Sequence, residues 1–352
     1  MAYGTLSSLD TLAAIRQSVV AYGEDLAWQS IEVALQAHNS QVNEMMGALI
    51  ERTTDTRRSY GTGDVKTMDE MDQWGQADAQ KISAAVTSDF PLRRFGQSLQ
   101  WTRQWMASNT AAQLAAEISA IFDADRNQII RQTKRAIYTA TTNSSYVDYL
   151  GYPANVTLTI RAFANNDGAG YPVGPNGEVF ATSHNHYLAN ATLTTTAATN
   201  LITAVQEHYN TGQPVVVINS ADEASWRGLS GFVALIDPRV TLNANANQPI
   251  LRANYTDLYN RDIGYYGNAL IRIRPWSVAN YAFAYIEGQA PPLVMRVPSE
   301  APQFGDLQFL YEDERLPLRA RSYERQFGVG VWQRVGGAVL QFNNGSYSTP
   351  TI

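Results

Sequence analysis

The chain has 352 residues and a formal charge of −6, and only 16% of it is charged, against about a quarter of an average soluble chain. A sequence pI near 5.3 leaves no global basic field to hold nucleic acid. The absence of cysteine removes disulfides, thiolate metal sites and cysteine nucleophiles. The opening residues carry neither a basic n-region nor a long apolar core, so no secretory leader is expected. No apolar run approaches the ~18–20 residues of a membrane span. All the basic residues except Lys66, Lys81 and Lys134 are arginines. That bias suits bidentate, partly buried ion pairs, and coding bias in a GC-rich genome would produce it equally.

In chain order, Ser7 or Ser8 caps a predicted helix over 9–20 that Gly23 ends. A second helix is predicted over 24–51. Its Ile31, Leu35, His38, Val42, Met45 and Leu49 step by fours and threes like a coiled-coil seam. Such a seam rests on its own domain, on another subunit or on a scaffolding partner. From 55 to 105 an outgoing strand, a Gly61-Thr62-Gly63 turn, a polar acidic excursion and a returning strand describe a long arm. Residues 110–142 contain neither Gly nor Pro. Leu114, Ile118, Ile121, Phe122, Ile129, Ile130 and Ile137 recur there at helical spacing, predicting a rod of about 50 Å.

The second half is strand-rich. Strands are predicted over 155–160, 214–219, 232–236, 268–273 and 281–286, the second and third as buried ones, with a helix over 194–209. From 307 to 342 the alternation resumes, and Gly328, Gly330, Gly336 and Gly337 are expected at bends or bulges.

Motifs for chemistry are thin. His184 and His186 on a strand would point to one side, as a metal site could use. No Glu, Asp or further His stands at a motif spacing from them, so structural, hydrogen-bonded histidines are expected. Asp123, Asp125 and Asn127 resemble the start of a calcium loop but lack its Gly and Glu and fall inside the rod. Gly61-Thr62-Gly63 and Gly328-Val329-Gly330 lack the rest of a phosphate loop and are read as turns. The acidic run Asp64, Asp69, Glu70, Asp72 and Asp78 is read as a solvated tip. No GxSxG occurs, and no catalytic, cofactor or metal residues are assigned.

The order of helical arm, out-and-back arm, rod and mixed lobe resembles the major capsid proteins of tailed double-stranded DNA bacteriophages, which share the Hong Kong 97 fold. PVVVINSADE, GFVALIDPRV and NALIRIRPWSVANYAFAYIEG look like that family's axial-domain elements, and LRARSYERQFGVGVWQRVGGAVLQF looks like its closing peripheral strands. The resemblance implies an α+β fold with a helical N-terminal arm over 1–54 and an E-loop over 55–108. It implies a peripheral domain over 109–190 with its spine helix at 110–142, an axial domain over 191–297, and return strands of the peripheral domain over 298–352.

By the same resemblance the chain would be no enzyme. It would assemble with itself, as hexamers and pentamers, into an icosahedral shell enclosing double-stranded DNA without sequence-specific binding and without a membrane. A scaffolding protein, a portal and a decoration protein would be its partners, the host cytoplasm its place of assembly, and the virion capsid its destination. Subunit contacts are expected at Arg57, Arg58, Trp74, Arg93 and Arg94 of the arm and at Ile31, Leu35, Val42, Met45 and Leu49 of the seam. Some family members crosslink an E-loop lysine to a neighbour's asparagine. Lys66 and Lys81 lie in that arm, but no matching asparagine or glutamate is assigned. An encapsulin-like protein-cargo compartment of the same fold is the alternative, and a β-rich surface binding or hydrolytic protein is the alternative from another class.

Overall fold

A 28-residue helix, Ala111–Tyr138, is the axis of the computed structural model, which describes residues 9–47, 49–61, 71, 75, 85–151, 153–235, 240–242, 249–251, 261–315 and 318–352. Its start is fixed by a reciprocal cap. The Gln113 amide donates to the Thr110 hydroxyl, and the Thr110 amide donates to the Gln113 side chain, so two otherwise orphaned donors are satisfied. It ends at the C-cap Thr139, short of residue 142, because Asn143–Asp148 becomes a strand antiparallel to Val156–Ile160.

The rod belongs to two cores. In its first half Leu114, Ile118, Ile121 and Phe122 pack with Leu12, Val19, Trp28, Ile31 and Leu35 of the N-terminal helices. In its second half Ile129, Ile137 and Tyr138 pack with Ile50, Leu293, Met295 and Val329 on one side and Val215, Val217 and Phe283 on another.

The first predicted helix is two, Leu9–Ala14 and Val19–Tyr22. The break has a cause in the rod. The carbonyls of Gln17 and Ile15 accept from the Ala111 and Ala112 amides at 3.0 and 3.2 Å, serving first-turn donors that no helix can satisfy internally. The next helix, Glu24–Met46, is shorter than expected because the chain becomes a strand at Ile50–Thr53, parallel to Leu293–Arg296.

An extended sheet is built on the 14-residue strand Leu318–Val331. Arg93–Thr102 runs antiparallel to it from Phe327↔Arg93 to Leu318↔Thr102, while Gln308–Arg315 and Leu293–Arg296 share its other flank. Gly328 and Gly330 make no bend in this strand. A Cβ at Gly328 would lie 2.1 Å from the Pro91 carbonyl oxygen, and one at Gly330 3.0 Å from the Phe90 ring, so glycine is there for close approach.

A seven-stranded sheet forms the second lobe, in the order Tyr187–Ala189, Gly337–Gln341, Tyr281–Glu287, Gln213–Ile218, Ala269–Ile273, Arg261–Tyr266, Phe232–Ala234. Its central strands are apolar on both faces. Val215 and Val217 face the rod's core, and Val216 and Ile218 face the helix Thr195–Gln206. Ala282, Ala284 and Ala338 are small enough to admit that helix closely. Within the segment 298–352, Gly337–Gln341 joins this sheet antiparallel to Tyr281–Glu287. Of the stretch 232–236, expected as a buried strand, the described residues 232–235 hold the three-residue edge strand Phe232–Ala234, with Val233 65% exposed.

Candidate functional site

The arm's arginines sit at its base, where the strands Arg57–Gly61 and Ala85–Asp89 pair. Arg57 Nε lies 3.1 Å from Asp89 Oδ1. Arg58 Nη2 and Nη1 donate to the two Glu51 oxygens at 2.8 and 3.1 Å, and its Nε donates to Asp55 at 2.7 Å. Those bonds, with Glu51 foremost, raise the Arg58 pKa further, and the Arg58 bond holds Asp55 below the ordinary carboxylate value. Arg94 Nε donates to Glu324 at 2.6 Å, and Glu324 is only 3% exposed. Arg57, Arg58 and Arg94, expected at subunit contacts, each already hold an acid of their own chain. The arm's base folds against residues 51–55 and the long strand, so each finds its acid within the chain. The Arg93 guanidinium lies 5.4 Å from the Tyr146 ring centroid and stays exposed. Trp74, Lys66, Lys81 and the acidic run fall outside the described residues.

The seam divides. Ile31, Leu35 and Val42 are buried in the chain's own cores, where the rod's Leu114, Ile118 and Ile129 take up their apolar surface. Leu49 is partly buried beside them, past the end of the helix, and only Met45 is substantially exposed, at 48%. Other apolar side chains left open include several at or beside sheet edges. Val233 stands opposite Tyr265 at one end of the seven-stranded sheet, and Phe309 and Tyr311 lie on the edge strand Gln308–Arg315. An edge strand carrying large apolar groups presents unpaired backbone and adhesive surface together.

A second constellation gathers His184, His186, Glu207 and His208. The first two lie just before the strand Tyr187–Ala189, and the last two follow the helix Thr195–Gln206. The three Nε2 atoms lie 2.9, 3.0 and 3.1 Å apart. Burial lowers the pKa of His184, that of His186 to about 3 and that of His208 to about 2, so the imidazoles are neutral at pH 7. The sequence expectation for His184 and His186 rested on the lack of a third ligand at motif spacing. The structure brings a third imidazole, that of His208, beside them from a helix end 22 residues further on. The one signal available beforehand was that three of the chain's four histidines fall between 184 and 208.

No family model matches the sequence, and no curated protein matches it. Among solved structures, one from Mycobacterium phage Patience matches over 99% of this chain and 96% of its own, at 20% identity and a TM-score of 0.68. The capsid of an empty GTA particle matches over 86% and 90% at 11% identity, with a TM-score of 0.47. The capsid of Ralstonia phage GP4 matches over 84% and 87% at 13% identity, with a TM-score of 0.46. The chain has the α+β fold of the Mycobacterium phage protein along nearly its whole length.

Proposed function

We propose that the chain is a shell subunit, which assembles with copies of itself into an icosahedral capsid around double-stranded DNA and has no turnover chemistry. One observation carries this reading: the order of helical arm, extended arm, rod helix and two sheets is shared with a phage protein along 99% of the chain. In this reading residues 55–108 are the E-loop, 110–142 the spine, 109–190 and much of 298–352 the peripheral domain, and 191–297 the axial domain. A subunit of this kind needs several large contacts, each burying about 2,000–5,000 Å² when obligate. The edge strands carrying Val233, Phe309 and Tyr311, with Tyr265 beside the first, are available for them. A scaffolding protein, a portal and a decoration protein are the partners, and assembly takes place in the host cytoplasm.

Co-expression with the native scaffold, followed by light scattering and negative-stain microscopy, tests this. Closed, uniform shells of megadalton mass are expected, with nuclease-protected DNA after packaging. A strictly monomeric chain under those conditions would overturn the proposal. Shells filled with a specific protein and no DNA would move it to the encapsulin-like alternative.

A further inference from the structure

The histidine constellation has a geometry that uncharged imidazoles alone do not explain. His186 Nδ1 stands 2.7 Å from the Gly337 carbonyl oxygen. A carbonyl only accepts, so Nδ1 carries the proton and Nε2 presents a bare lone pair. That lone pair faces two more Nε2 atoms, at 2.9 Å from His184 and 3.1 Å from His208. If both neighbours also present lone pairs, three of them converge without a proton. If both carry Nε2 protons, two N–H groups crowd a single acceptor, and if only one does, the other's lone pair still faces that of His186. A cation in the middle satisfies all three at once.

The dimensions fit a first-row metal. Three nitrogens about 3.0 Å apart lie ~1.7 Å from their common centre, so an ion at a Zn–N distance of about 2.05 Å sits ~1.1 Å above their plane. The fourth corner is present as well. Glu207 Oε1 lies 3.2 Å from His184 Nε2 and 3.7 Å from His208 Nε2, and the four ligand atoms all lie within 4.8 Å of one another. Glu207 is also the C-cap of the helix Thr195–Gln206, where the helix dipole favours a positive charge.

The surroundings resemble those of built metal sites. The carbonyl behind His186 is the kind of partner that orients a ligating imidazole. The Phe180 ring lies 4.1 Å from the His208 ring and 5.1 Å from that of His184, walling the site on an apolar side. His186 is fully buried, and the His208 side chain is 2% exposed.

We propose that His184, His186, His208 and Glu207 form a tetrahedral site for a divalent first-row cation, Zn2+ being the ion that an imidazole-rich N3O set best suits. With four protein ligands the site is closed, which is the mark of a structural rather than a catalytic zinc. It pins the loop carrying His184 and His186 to the end of the helix Thr195–Gln206. Through His186 and Gly337 it reaches the strand Gly337–Gln341 as well. The site lies within one chain and does not depend on shell formation.

The purified full-length chain, as subunit or shell, is stripped with a chelator, reloaded with Zn2+ or Co2+, and desalted. About one equivalent per chain is expected, together with the intense visible absorption of tetrahedral Co2+ and a higher melting temperature in Zn2+ than in chelator. His208→Gln should lose the bound equivalent and the zinc-dependent melting shift. Glu207→Gln, at a more exposed position, keeps three ligands and should bind at least tenfold more weakly while folding normally. Failure of the folded, unaltered protein to retain metal would overturn the proposal without reference to any variant. Equal retention by the unaltered protein, His208→Gln and Glu207→Gln would overturn it too, by placing the metal elsewhere.

Discussion

Asp125, in the middle of the rod, should be the costliest single charge to remove. Its carboxylate lies 2.9 Å from Arg325 Nε and 2.8 Å from His38 Nε2, and the side chains of the three are 6%, 1% and 3% exposed. Truncation to alanine leaves the Arg325 guanidinium with the neutral oxygens of Asn39 and Gly305, at 2.6 and 3.3 Å. Breaking a buried pair from one side costs about 3–5 kcal/mol, because a charge is left inside without its counter-charge. The control lies one turn away in character, though only two residues away in sequence. Asp123 pairs with Arg126 at 3.3 Å in the open, where an ion pair contributes about 0–1 kcal/mol. Urea unfolding of the dispersed subunit, followed by circular dichroism and by tryptophan fluorescence, should show a large drop in midpoint for Asp125→Ala and almost none for Asp123→Ala. Asp125→Leu combined with Arg325→Met should recover part of the loss, since no charge is then stranded. Equal midpoints for the two alanine variants would refute the reasoning.

Arg94→Ala should destabilise the subunit by about 1–3 kcal/mol, because the buried Glu324 carboxylate loses its cation, whereas Arg93→Ala should leave the unfolding midpoint nearly unchanged. Gly328→Ala should cost about 1–3 kcal/mol or more by forcing the Pro91 backbone off the long strand, measurable as a fall in melting temperature. Burial raises the Asp222 pKa to about 6 from 3.8, so the folded state holds the proton more tightly than the unfolded one. That contribution is full below about pH 4 and is lost as the pH rises through about 6, and Asp222→Asn should flatten the stability profile across that window. Shells boiled in denaturant should migrate as a single 38.9 kDa band, and a covalent ladder would point instead to Lys66 or Lys81.

The rod was the most legible element, because its periodicity is long and uninterrupted and its cap is local: Thr110 and Gln113 are three residues apart. The central strands were legible for the related reason that burial on both faces makes a continuous apolar run, as in Gln213–Ile218. Short strands such as Ile50–Thr53 and Tyr187–Ala189 left no such trace, since their partners lie far away in the chain. The seam of the helix Glu24–Met46 was visible as a seam, but nothing in a stripe says which surface will cover it. The glycines of the long strand were visible as glycines, yet their reason, the Pro91 carbonyl, is some 240 residues distant. The histidine constellation was half legible. Its loop pair stood out, while Glu207 and His208 joined it only because the helix Thr195–Gln206 ends beside that loop.

The arginine bias has a structural use inside the chain, in buried ion pairs of the kind the composition suggested. Among the described residues three guanidiniums, those of Arg296, Arg325 and Arg334, are almost wholly buried, and each joins a carboxylate to a further segment. Arg296 meets Asp148 at 2.6 Å and the Phe90 carbonyl at 2.9 Å, tying the base of the arm to the strand Asn143–Asp148. Arg325 joins the rod to the helix Glu24–Met46 through Asp125 and Asn39. Arg334 meets Asp167 at 3.0 Å, Asn165 at 2.9 Å and the Ala162 carbonyl at 2.9 Å. A lysine ammonium is a point charge without the planar fork that lets one side chain serve several fixed acceptors in this way. Buried pairs of this kind add little net stability over apolar packing, but they penalise every arrangement in which a partner is misplaced. They sit where the arm, the rod and the loops of the second lobe meet, so they fix the relative positions of those parts. For the shell subunit proposed above, which would offer one shape to several neighbours, that restriction matters more than additional stability.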